Sequence, residues 1–142
     1  MQRIEDVILF QIDLTSKVSK QYSQKEFDRH GLGITVEQWV ILKILSEKEN
    51  LSQRELANHS YRDPASITRT IDILEKKGLL ERQAIPNNRR RYHINLTKEG
   101  KQFVEKYLDL VKEQRALSVK GLTKAELETL STVLEKIRKN MS

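Results

Sequence analysis

The chain contains no cysteine, which excludes disulfides, thiol redox switching and thiolate metal sites. Histidine is nearly as scarce: His30, His59 and His93 are too few and too scattered to form a metal cluster, so no metal is expected. No apolar run approaches the roughly 18 to 20 residues that a membrane-spanning helix needs. The opening Met1-Gln2-Arg3-Ile4-Glu5-Asp6 also lacks the basic, apolar and small-residue regions of a signal peptide. The expectation is a cytoplasmic protein with no membrane partner. No Ser/His/Asp order, phosphate-binding Gly loop or metal-ligand spacing stands out, so neither an enzyme nor a cofactor is expected. Repeats and low-complexity segments are absent, and 142 residues suit a single domain over 1–142.

Two prolines and five glycines divide the rest into helical patterns. Ile4, Val7, Ile8, Ile12, Leu14, Val18, Tyr22 and Phe27 recur at three- and four-residue spacings and predict one long amphipathic helix, ended by Gly31 and Gly33. Thr35-Val-Glu-Gln38 has capping-box spacing and opens an apolar second helix; Ser52-Gln-Arg-Glu55 does the same for a short third. Asp63-Pro64 predicts the N-terminus of a fourth, which Gly78 closes. There Ile67, Ile71 and Leu74 form an inward stripe, leaving Ala65, Arg69, Asp72 and Lys76 opposite and Ser66 and Thr68 on the flanks. Leu79–Ala84 and Tyr92–Leu96 then read as two strands joined by a Pro86-Asn87-Asn88 tip. Thr97 and the Thr123-Lys-Ala-Glu126 box begin two further helices whose apolar stripes cannot be buried alone.

Charge is placed unevenly. Of the formal +6, +4 falls between Ser52 and His93, which is the footprint expected of phosphate binding. Two short helices, a Gly stop and a hairpin carrying Arg89, Arg90 and Arg91 are the parts a winged helix-turn-helix uses to read duplex DNA. The fold class expected is mainly α with a small two- or three-stranded β-wing. The winged helix-turn-helix spans 35–97, flanked by long N- and C-terminal dimerisation helices at 1–34 and 98–142. Ala65, Ser66, Thr68 and Arg69 lie in the first turns of the recognition helix, within reach of base edges and phosphates. Arginine suits the narrow, negative minor groove, so Arg89, Arg90 and Arg91 are the candidate wing contacts, with Asn88 organising the loop. Gln53 and Arg54 could hold phosphate at a helix N-terminus.

Over essentially its whole length the chain resembles the MarR family of bacterial transcription regulators. The resemblance lies in Leu51-Ser-Gln-Arg-Glu-Leu-Ala57, in Ser66-Ile-Thr-Arg-Thr-Ile-Asp-Ile-Leu-Glu-Lys-Lys-Gly-Leu-Leu-Glu-Arg82, and in Asn88-Arg-Arg-Arg-Tyr-His-Ile-Asn-Leu-Thr97 followed by Glu99-Gly100. It implies a triangular homodimer, joined through its terminal helices, whose two wings bind a pseudo-palindromic double-stranded DNA operator. It also implies a small apolar or aromatic effector held between reader and arms, where Phe10, Tyr22, Trp39, Phe103 and Tyr107 are candidates; at helical spacing these aromatics equally suit a core. The family usually carries Asp two residues before its key wing Arg, and here those positions are Asn88 and Arg90. The function expected is a ligand-responsive transcriptional regulator, a repressor in its usual form. The alternative is a winged-helix protein-docking module without sequence-specific DNA binding.

Overall fold

Side-chain caps set the helix boundaries. Thr35 and Gln38, Ser52 and Glu55, and Thr123 and Glu126 each form both hydrogen bonds of a capping box. Asp63 and Thr97 accept from the backbone N–H three residues on, at 3.2 and 3.0 Å. The computed structural model describes residues 2–142; Met1 and the side chain of Arg89 lie outside the described residues. Among those described, the helices are α1 (Ile8–Arg29), α2 (Val36–Glu47), α3 (Gln53–Ser60), α4 (Pro64–Lys76), α5 (Lys98–Ser118) and α6 (Lys124–Asn140). The strands are β1 (Leu51–Ser52), β2 (Leu80–Ile85) and β3 (Asn88–Leu96), all antiparallel in the order β1-β3-β2.

The core lies under the reader. Leu42, Leu56, Ile67, Ile71, Leu74 and Ile94 are wholly buried, drawn from α2, α3, α4 and β3. Phe27 of α1 meets Trp39 of α2 edge to face, with ring centroids 6.3 Å apart, which fastens the end of the long arm to this core. At the other end no residue of α6 is buried.

Two boundaries differ from the sequence expectation, and the third strand that it left open is present. The first helix begins at Ile8 rather than Ile4, because Val7 is extended (ψ 121°) and only a single 3-10 turn, Ile4–Asp6, precedes it. Leu51-Ser52 pairs with Ile94 and His93 as a third strand. Two residues are too few to show a period, and Ser52 also caps α3. Between β2 and β3 the turn is Pro86-Asn87, with Asn87 rather than Asn88 in the left-handed region (φ 68°). Proline followed by a positive-φ residue is the pattern of a type II turn.

One close approach joins the reader to the arm. Thr97 Oγ1 donates to Gly78 O at 2.6 Å and Thr97 N to Leu79 O at 3.2 Å, which presses the first turn of α5 onto the Leu79 backbone. A Cβ at Gly100 would collide with the Leu79 carbonyl oxygen and lie 2.9 Å from its carbon. Gly100→Ala therefore forces α5 away from the wing root and is expected to cost about 3 kcal/mol or more. Urea unfolding would read this as a lowered midpoint at unchanged m-value.

Candidate nucleic-acid interface

Polar side chains tie the start of α4 to α3. Gln53 Nε2 donates to Thr68 Oγ1 at 2.5 Å, and Thr68 Oγ1 donates to Pro64 O at 3.0 Å. Gln53 and Thr68, both candidate DNA contacts, are thereby brought together. Ala65, Thr68 and Arg69 are exposed, and Ser66 is half-buried, with its hydroxyl accepting from Arg62 Nη2. Arg54 is exposed on the first turn of α3. Together with Gln53, Asn58, Arg62 and Pro64 it lines a niche of about 490 Å³.

In the wing, Ala84 pairs with Tyr92 but Ile85 with Asn88, so Arg89, Arg90 and Arg91 have no partner in β2 and form a bulge. Bulges re-aim side chains out of the ladder beside functional sites. Asn88 Oδ1 accepts from Arg90 N at 3.2 Å, so the amide supports the bulge backbone where a carboxylate would offer an ion pair. Arg90 and Arg91 are exposed, whereas the side chain of Arg89 falls outside the described residues.

Asp72, expected on the polar face presented to DNA, is instead engaged within the protein. Arg82 Nη2 meets Asp72 Oδ1 at 2.5 Å and Arg82 Nη1 meets Glu75 Oε1 at 2.7 Å, so the β2 guanidinium forks across two carboxylates one turn apart on α4. Burial disfavours the charge on Arg82, but the hydrogen bond to Asp72 and the charge of Glu75 outweigh it and raise its pKa. The Glu55 carboxyl is held below its ordinary value by hydrogen bonds from the Ser52 backbone and then its hydroxyl. The carboxylate's half of the α3 cap thus contributes fully above the pH at which an unfolded glutamate titrates and is lost as pH falls through the lower folded value, while the Ser52 hydroxyl still accepts from Glu55 N.

The structure divides the five candidate effector-pocket aromatics. Trp39 is 1% exposed and belongs to the core against Phe27. Phe103 and Tyr107 pack on each other, with centroids 4.8 Å apart. Phe10 is half-buried on α1. Tyr22 lines a groove of about 400 Å³ between α1 and α5, with Val18, Leu117 and Gln114. Gln114 is buried there, and among the described residues its amide nitrogen has no hydrogen-bond partner.

Two features of the site escaped the sequence. Arg62 carried only its charge, because its significance depends on the niche it lines. The Arg82 fork left a faint signal, an acidic pair at i and i+3 on the polar face of α4. Among the described residues no group of three or more His, Asp or Glu could hold a metal, and no helix is long and apolar enough to cross a membrane.

A helix with an exposed N-terminal face, tied to an arginine-bearing hairpin and set between long arms, has the architecture of a winged helix-turn-helix. The sequence model of the MarR family matches residues 34–92. The transcriptional repressor IacR of Pseudomonas putida is 27% identical over 110 residues, or 78% of this chain, which spans 66% of that relative's length. A probable transcriptional regulator from Pseudomonas aeruginosa is 27% identical, with TM-score 0.86, over 95% of this chain and 99% of that one. A mutant MarR from E. coli complexed with operator DNA is 25% identical, with TM-score 0.85, over 96% and 99% of the two chains. The family model thus covers the winged region, and over its whole fold the chain is similar to transcription regulators of the MarR family.

The fork makes a measurable contribution of its own. Arg82→Gln is expected to lower unfolding stability by about 0.5–1 kcal/mol, a small figure because Asp72 and Glu75 remain half in water. A double-mutant cycle with Glu75→Gln should return a coupling of the same sign; strictly additive losses would mean the pair is not formed in solution.

Proposed function

We propose that the chain is a ligand-responsive repressor that binds a pseudo-palindromic operator in the cytoplasm as a homodimer. The observation that carries this reading is the fork of Arg82 onto α4, which fastens the strand leading to the arginine bulge to the helix whose first turns are exposed. Ala65, Ser66, Thr68 and Arg69 enter the major groove. Arg89, Arg90 and Arg91, organised by Asn88, reach the neighbouring minor groove, while Gln53 and Arg54 face phosphate.

Residues 35–97 act as the reader, and 1–34 and 98–142 as dimerisation arms. Support for the second copy comes from apolar surface that one protomer leaves bare. Val18 is 56% exposed, Leu117 60% and Leu130 50%, on α1, α5 and α6 respectively. Single exposed apolar residues are ordinary, but a run of them along three helices marks an interface. A two-fold dimer then sets half-sites about 34 Å apart, one helical turn of DNA. A small apolar or aromatic effector, seated between reader and arms, favours one spacing of the two readers and so shifts the dimer away from its operator. The Tyr22 groove, with its unpaired Gln114 amide, is the opening that supports this part of the reading.

Fluorescence anisotropy of the purified protein against the DNA upstream of its own gene and a shuffled duplex, at two salt concentrations, tests the reading. Tight, sequence-dependent, salt-sensitive binding at two subunits per site is expected. Equal weak binding to both duplexes would favour the docking alternative. Arg90→Ala should weaken operator binding by about 1–3 kcal/mol and flatten its salt dependence with the dimer intact. Leu130→Asp should yield folded monomers by sedimentation velocity; an unaltered dimer would remove α6 from the interface.

A further inference from the structure

The guanidinium of Arg62 is partly buried, and its one hydrogen-bond partner among the described residues is the neutral Ser66 hydroxyl. Its Nη1 is buried and without a partner. The carboxylates beside it in sequence are turned elsewhere, Asp63 onto Ser66 N at 3.2 Å and Glu55 onto Ser52 N at 3.2 Å. Arginine stays charged in any protein environment, so withdrawing this guanidinium from water without a counter-ion is costly. Its position adds to the cost, because it stands one residue before the Asp63 cap of α4, where the helix dipole already presents positive potential. Arg54 and Gln53 line the same niche of about 490 Å³, so a second cation and a carboxamide face the space that Arg62 faces.

We propose that Arg62 and Arg54 together seat one DNA backbone phosphodiester at the entrance to α4, a phosphate contact that fixes how deep the helix enters the groove. The proposal rests on the DNA-binding reading above and adds Arg62 to it as a dual-purpose group. One arm of the fork holds Ser66 in place, and the remaining donors serve the phosphate. A merely structural Arg62 would hold Ser66 and leave the phosphate count unchanged.

The test is the slope of log K against log salt between 50 and 200 mM KCl on a mixed-sequence duplex, for wild type, Arg54→Gln, Arg62→Gln and the double variant. Each neutralised phosphate contributes about 0.9 to the slope. A shared seat predicts that the double variant is shallower than wild type by about 0.9 in all, with each single variant in between. Arg62→Lys, which keeps the charge, should keep the wild-type slope. An unchanged slope in the double variant overturns the seat, and a loss of about 1.8 overturns the sharing. Exposed Arg54 keeps the test decisive should Arg62→Gln fold poorly, since Arg54→Gln alone must then flatten the slope. Binding by the wild type to no duplex at all would instead sink the DNA-binding reading, and the seat with it.

Discussion

The contact between the first turn of α5 and the Leu79 backbone is the constraint on which the rest depends. Every element that would touch DNA lies before residue 97, while α5 and α6 follow it. The chain passes from one part to the other through Thr97, whose hydroxyl both donates to Gly78 O and accepts from Gly100 N. Only a residue without a side chain lets the helix sit this near the strand. The junction is therefore a packed joint with little play, and a displacement of the arm reaches the wing root through backbone rather than through flexible side chains.

From that joint, stiffness runs outward by charge. Arg82 stands two residues beyond Leu80 on β2 and grips α4 at Asp72 and Glu75, while Gln53 holds α4 from the side of α3 through Thr68. Helix α4 is thus fastened on both flanks by polar bonds that leave its leading residues exposed. Preorganisation of this kind reduces the ordering cost of association, because fewer side chains have to be fixed on binding. The wing is built the opposite way. Its arginines occupy a bulge without ladder partners in β2, which turns them out of the sheet's regular alternation.

Much of this was legible in the chain. Capping residues announce their helices because the hydrogen bonds are local: Thr35, Ser52, Asp63, Thr97 and Thr123 each cap as their spacing implies. The inward stripe Ile67, Ile71 and Leu74 is wholly buried, as helical periodicity requires. What resisted reading depends on distant partners. Leu51-Ser52 becomes a strand only because β3 lies alongside. Asp72 looked available to DNA until the fold brought Arg82 to it from ten residues away. Trp39 could have lined a pocket or filled a core, and the position of Phe27 decides for the core. Arg62 is one cation among nine in its segment, and no local pattern marks the one that loses its counter-ion.

The sheet that carries the wing ends in two unprotected margins, since β3 alone is paired on both sides. Backbone groups along such margins invite strands from other molecules, the usual route to aggregation. Here β1 is only two residues long, and β2 bears Glu81 and Arg82 before its register slips at Ala84–Ile85. The irregularity that frees three arginines also denies a foreign strand a straight template. A cationic hairpin can thus project from the sheet without offering a long straight edge for pairing.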